Sequence, residues 1–327
     1  MFNPKAANEE WCAMSQIAEE ILRVEDIGKN FTTGLIRRTQ NQALKDVSFS
    51  LSQNKCLAII GESGSGKTTI GRIILGAEKP SSGTVYCNGK NIFSNNKKTF
   101  FRNDTQMIPQ DATASLNPAM KVRDLLLEPF KISRTINDNR NFLIEKSLAT
   151  GKLTRDLLDR YPHELSGGQR QRIAIARTLS LDPSLIIADE PAASLDRSIQ
   201  AHVLSILKRK VEENNKSLIL ITHDLRSMRL MADYVAVLYY GHIVEYGTVS
   251  DIIDTPYHPY TKALVSSVLG LKPGSERIKL TGESPSPSTP PSGCPFHPRC
   301  TNSVESCTNE LPPLREINKD HKVRCCY

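Results

Sequence analysis

The chain has 327 residues, of which 39% are hydrophobic and 24% charged, and a formal net charge of +7. That is the make-up of a globular protein long enough for one large core and an appendage, and no run approaches the ~18 apolar residues of a membrane helix. The basic excess contains no run interleaved with aromatics, so it reads as a solvated surface and not as a nucleic-acid groove.

Residues 1–20 are polar, carry acidic groups and lack the apolar core of a secretory signal, so they read as a tail on a cytoplasmic protein. Met14 is a second candidate start. From Ile21 to about Ser250, strand-like and helix-like segments alternate, which predicts a mostly parallel sheet covered by helices. Leu57-Ala58-Ile59-Ile60 and Leu218-Ile219-Leu220-Ile221 read as buried strands. Residues 112–172 interrupt the alternation as a helical insert, with Val122–Phe130 as one helix. Residues 251–271 read as a helical extension. Residues 272–293 are rich in Pro and Ser and read as a linker or strap.

The first chemical motif is Gly61-Glu62-Ser63-Gly64-Ser65-Gly66-Lys67-Thr68, which fits G-x-x-x-x-G-K-[ST] between the strand Cys56–Ile60 and a helix starting near Lys67. Glycines allow backbone N–H groups to turn inward around phosphate oxygens, and the helix start adds its positive dipole end. Lys67 can reach the β- and γ-phosphates of ATP, and the Thr68 hydroxyl, followed by Thr69, can serve Mg²⁺ and phosphate.

The strand Leu185–Ala188 ends in Asp189-Glu190-Pro191. A carboxylate at a strand tip beside the phosphate loop suits Mg²⁺, which assigns Asp189. Glu190, one residue on, is placed to polarise the attacking water.

Leu165-Ser166-Gly167-Gly168-Gln169 precedes a helix read as Arg170–Leu179. With this motif the chain resembles the nucleotide-binding subunits of ABC transporters, for which LSGGQ is the signature. The resemblance implies a P-loop ABC ATPase: an α/β fold with a parallel sheet core, an antiparallel β subdomain, an inserted helical subdomain (about 112–172) and a nucleotide-binding unit over 21–250. It implies a head-to-tail dimer in which Ser166, Gly167, Gly168 and Gln169 of one subunit close on the ATP of the other. It assigns Gln110 as the Q-loop residue that senses Mg²⁺ and water, Ala193-Ser194-Leu195-Asp196 as the D-loop (usually S-A-L-D), His223 as the γ-phosphate switch, and Phe31 as the adenine-stacking aromatic. A strand-end aromatic is the alternative for Phe31, because the stretch containing Arg37-Arg38 follows it.

His258-Pro259-Tyr260-Thr261-Lys262-Ala263-Leu264, Ser115-Leu116-Asn117-Pro118 and Gly293-Cys294-Pro295-Phe296-His297-Pro298-Arg299-Cys300 resemble the oligopeptide, dipeptide and nickel importer ATPases. The resemblance makes 251–327 a small Cys-rich C-terminal extension. Of eight cysteines, five lie between Cys294 and Cys326, with spacing C-x5-C-x6-C-x17-C over Cys294, Cys300, Cys307 and Cys325. The family pattern implies a structural [4Fe–4S] cluster on these four, with zinc as the alternative and Cys326 as the alternative fourth ligand. The implied assembly is a peripheral subunit on the cytoplasmic face of the membrane. Its partners are a second, different ABC ATPase, two transmembrane permeases and an extracellular or periplasmic solute-binding protein, and its cargo is peptide. A nickel or metal-chelate cargo and a soluble, non-transport ATPase are the alternatives.

Overall fold

The computed structural model describes residues 20–33, 39–94, 103–135, 139–193, 195, 197–268, 277–280, 282, 285 and 290–327. The expected tail with its two candidate starts, Ser194 and Asp196 of the expected D-loop, and most of the Pro/Ser-rich strap lie outside these residues.

Two sheets organise the molecule. The first is antiparallel, in the order β2-β1-β4-β5, from β1 (Glu20–Thr33), β2 (Thr39–Ser52), β4 (Ser82–Cys87) and β5 (Lys90–Asn91). The second has the order β11-β12-β10-β9-β3-β8-β7-β6. Its five parallel strands are β3 (Cys56–Ile60), β6 (Thr105–Ile108), β7 (Leu185–Asp189), β8 (Ser217–Ile221) and β9 (Tyr234–Tyr239). Every residue of β3, β7 and β8 is buried, which is why these strands read as unbroken apolar runs and not as alternating ones.

One apolar cluster joins the two sheets. It gathers Leu22, Val24, Ile27, Leu44 and Val85 from the antiparallel sheet, and Leu57, Ile59, Ile187, Ile219 and Leu238 from the parallel one. Helix α1 (Lys67–Ile74) adds Ile70, Ile73 and Ile74 to it. The helix behind the phosphate loop is therefore anchored by its apolar side, and its N-terminus is free to face a ligand.

The insert is helical, as the pattern predicts: α2 (Ala112–Ser115), α3 (Val122–Ile132) and α4 (Arg140–Gly151) lead to α5 (Gly167–Leu179). They share a separate apolar cluster of Leu116, Val122, Leu125, Leu126, Leu148, Leu157, Leu165, Ile173 and Ala176. Helix α5 begins three residues before the predicted start, because Ser166 and Gln169 form a reciprocal capping box.

Helices α6 (Arg197–Glu213) and α7 (Leu225–Met231) flank the parallel strands. The C-terminal part continues the same sheet. Strand β10 (His242–Thr248) runs antiparallel to β9, and it pairs with β12 (His321–Val323), which pairs with β11 (Arg315–Asn318). The predicted helical extension is two helices, α8 (Val249–Asp254) and α9 (Pro259–Ser267). A short helix α10 (Glu305–Asn309) carries Cys307. Glu245, fully buried on β10, ties these pieces together. Its carboxylate accepts the N–H groups of Tyr257 (2.7 Å) and His258 (3.0 Å) and meets Nε2 of His321 at 2.7 Å. A buried carboxylate with three partners is satisfied, and it fixes the register of segments distant in sequence.

Candidate functional site

The motif residues meet at the C-terminal ends of the adjacent strands β3, β8, β7 and β6, where ligands of open α/β sheets bind. The chain leaves β3 at Gly61 and makes the tight loop into α1. A Cβ at Gly61 would stand 2.1 Å from the Leu238 carbonyl oxygen, so only glycine lets the loop pass β9. Gly66 caps α1 at φ 107°, and a Cβ there would stand 2.6 Å from the Ala43 carbonyl oxygen. Ser63 and Gly64 are exposed at the loop tip, while Ser65 and Lys67 are buried and Thr68 and Thr69 half-buried.

Lys67 folds back on its own loop: its Nζ donates to the carbonyls of Gly61 and Glu62, both at 2.8 Å. Burial lowers its pKa, and Glu190, Asp189 and Glu62 oppose that shift. Asp189, at the tip of β7, is buried. Burial raises its pKa, and a hydrogen bond with the Thr68 side chain acts against the rise. Two buried polar atoms here, Ser65 Oγ and Asp189 Oδ1, have no hydrogen-bond partner. Orphaned groups around a phosphate loop fit a site that is completed by a polyphosphate and its cation.

Glu190 follows with φ 45°, a left-handed conformation that costs a non-glycine residue about 1 kcal/mol or more. Its N–H holds the turn by donating to the Ile221 carbonyl at 2.8 Å. Its carboxylate stands between two partners: Gln110 Nε2 donates to Oε2 at 3.1 Å, and His223 Nδ1 lies 3.0 Å from Oε1. Gln110 follows β6 and His223 follows β8, so three strand ends supply one constellation. A cleft of about 690 Å³ opens against Glu190, Thr222 and His223.

The signature stands elsewhere. Ser166, Gly167, Gly168 and Gln169 start α5 on the helical insert, with Ser166 and Gly167 exposed and Gly168 packed against Ile199. Phe31 lies near the end of β1, 36% exposed, with Lys29 Nζ 5.0 Å from its ring centroid. Phe31 is thus a partly exposed aromatic near a strand end, which suits either reading.

Cys294, Cys300, Cys307, Cys325 and Cys326 line one cavity of about 100 Å³. All are free thiols, and burial pushes the Cys294 thiol up to about 11. Among the described residues, no three His, Cys, Asp or Glu side chains stand in a ready-made ligating arrangement. Thiolates are soft donors that suit a thiophilic metal by chemistry, and here the thiols are spread around the cavity wall.

Sequence reasoning missed Tyr260 and Arg299, which reach the phosphate loop from the C-terminal segment. Their separation in sequence from Glu62 leaves no local signal.

The ABC transporter family profile matches residues 44–193, and that of the oligopeptide/dipeptide transporter C-terminal region matches residues 244–307. The dipeptide transport ATP-binding protein DppF of Haemophilus influenzae is 43% identical over 301 residues, covering 90% of this chain and 91% of that protein. This chain belongs to the ATP-binding subunits of ABC transporters. The oligopeptide transport ATP-binding protein AppF of Bacillus subtilis is 42% identical, with 94% and 97% of the two chains covered. A solved dimeric ATP-binding cassette in a post-hydrolysis state, bound to ADP and phosphate, superposes with TM-score 0.63 at 27% identity over 70% of this chain and 98% of that one. As an ABC ATP-binding subunit, the chain is an ATPase that works with Mg²⁺. Among its described residues, no helix is long and apolar enough to cross a membrane.

Proposed function

We propose that the chain is the ATP-hydrolysing subunit of a peptide importer, bound peripherally on the cytoplasmic side to transmembrane permeases that a solute-binding protein feeds. The carrying observation is the convergence of Gln110, Glu190 and His223 beside the phosphate loop, in a chain whose C-terminal region matches the oligopeptide/dipeptide transporter profile. The peptide cargo comes from relatives named for dipeptide and oligopeptide transport.

In this reading, backbone N–H groups of residues 61–69 and Lys67 bind the phosphates of ATP, and Thr68, Asp189 and Gln110 hold Mg²⁺, which neutralises developing phosphate charge. Phe31 stacks on adenine. Glu190 takes a proton from the attacking water. His223 orients Glu190 and the γ-phosphate. Ser166, Gly167, Gly168 and Gln169 serve the ATP of a second ATPase subunit, because they start a helix on the insert and not on the phosphate-loop side. That second subunit is a different chain in our reading. ATP acts as differential glue: it favours the closed dimer, and its hydrolysis reopens it.

Cys294, Cys300, Cys307 and Cys325 are proposed as ligands of a structural [4Fe–4S] cluster, with zinc as the alternative. Their support is the shared cavity. Visible absorption together with iron, sulfide and zinc analysis of anaerobically purified protein decides between the two.

The function is tested by tagging the chain in its host, purifying it gently and identifying the proteins and small molecules that accompany it. A second ATPase, permeases and a peptide-loaded binding protein are expected. Recovery of soluble partners alone would overturn the importer reading.

A further inference from the structure

Glu62, in the phosphate loop, is gripped from the far end of the chain. Its N–H donates to the hydroxyl of Tyr260 at 2.8 Å. Its carboxylate receives two N–H groups of Arg299, at 2.9 and 3.1 Å. Its carbonyl accepts from Lys67 Nζ at 2.8 Å, as does the carbonyl of Gly61.

The Gly61–Glu62 peptide is therefore held from opposite sides. Its oxygen faces Lys67, and its N–H faces Tyr260. In a trans peptide these two groups point apart, so both contacts set one rotation of the peptide plane. When Lys67 leaves the Gly61 carbonyl to take a phosphate, the Tyr260 contact remains and keeps that rotation.

The grip is rigid. Tyr260 is fully buried, and the rings of Tyr239, Tyr260 and Phe296 pack with centroids 4.6, 5.2 and 5.6 Å apart. The Arg299 side chain is 8% exposed, and its Nη1 also donates to the Tyr239 hydroxyl at 3.4 Å. Arg299 ends the short turn His297–Arg299, closed by its own N–H on the Phe296 carbonyl. A two-pronged guanidinium–carboxylate pair with little water around it fixes direction as well as distance.

We propose that Tyr260 and Arg299 are positioning residues that hold the phosphate loop in its nucleotide-binding shape, which makes the C-terminal extension a determinant, within the same chain, of ATP affinity. The inference rests on residues 61–68 being the nucleotide site. It goes beyond a stabilising role, because the contacts fall on the loop that meets phosphate and not on the sheet behind it. Arg299 directly precedes Cys300 on the wall of the cysteine cavity, so whatever orders that turn also orders the guanidinium.

The test uses the assembled transporter with Tyr260→Phe, Arg299→Gln, Arg299→Lys, Glu62→Gln and the double variant Glu62→Gln/Arg299→Gln. ATP KM, kcat, nucleotide affinity and nucleotide-free melting are measured for each. Tyr260→Phe and Arg299→Gln should raise KM about fivefold, with a smaller change in kcat. Arg299→Lys should recover part of the loss, and the double variant should be no worse than the poorer single one. If Arg299→Gln does not fold, Tyr260→Phe, which removes one oxygen, carries the test. Lower melting temperatures with wild-type KM and nucleotide affinity would overturn the proposal. Lys67→Ala separates the two readings. Loss of ATP binding in Lys67→Ala with normal binding in the clamp variants contradicts the clamp alone. Normal ATP binding in Lys67→Ala contradicts the nucleotide site itself.

Discussion

His223 Nδ1 lies 3.0 Å from Glu190 Oε1, although the two residues end different strands and are 33 positions apart. The contact orients the carboxylate that is assigned to activate water, and it leaves the outer face of the imidazole exposed to the cleft. His223→Ala should therefore lower kcat by about 100-fold while nucleotide affinity stays within a few-fold of wild type. Steady-state ATPase assays beside equilibrium nucleotide binding measure both quantities.

Asp189 carries the opposite signature, a charge kept at a cost. Burial raises its pKa in the folded chain above the unfolded value, so ionisation at neutral pH works against folding. Asp189→Asn should raise the melting temperature of the nucleotide-free protein, and it should abolish Mg²⁺-dependent turnover. The Thr68 contact survives in this variant, because an amide oxygen accepts as well. Calorimetry with and without Mg·ATP reads the trade.

Gly66→Ala meets two obstacles at once. The backbone sits at φ 107°, and the new methyl group would stand 2.6 Å from the Ala43 carbonyl oxygen and 2.7 Å from Leu44 Cδ2. A loss of about 2–3 kcal/mol in stability, with ATP binding lost, is expected. Denaturant titration and nucleotide binding check it.

Much of this site is legible in the sequence because each motif is local. The phosphate loop, the Asp189-Glu190 strand tip and His223 all sit directly after short apolar runs, and strand ends place side chains without reference to distant sequence. Two things were not legible. Strands β11 and β12 are short and largely polar, so no alternation marks them, and only the pairing of β12 with β10 and of β11 with β12 makes them strands. The Arg299–Glu62 pair spans 237 positions, and neither residue looks unusual in its own segment. The earlier start of α5 is a cap effect: Ser166 and Gln169 satisfy each other, and that favours helix through two glycines that propensity disfavours.

His242 gives the chain an acid limit. It is buried at the start of β10, near Arg324 and Lys45. Burial, then these two cations, depress its pKa to about 3, against a hydrogen bond with the Lys45 backbone. A depressed folded pKa means that stability is whole above the unfolded value near 6.5 and is lost as pH falls towards 3. Between pH 7 and 5 this amounts to about 1–2 kcal/mol. His242→Gln should flatten that slope, as measured by denaturant midpoints at the two pH values.

The most direct test of the account is Glu190→Gln in the assembled transporter, with ATP turnover and ATP occupancy measured on the same sample. Glutamine keeps the shape between Gln110 and His223 but cannot take a proton from water. The account predicts turnover at least about 100-fold lower, with ATP retained and the dimer held closed. Wild-type turnover in that variant would contradict the assignment of Glu190 and, with it, the mechanism built on this constellation.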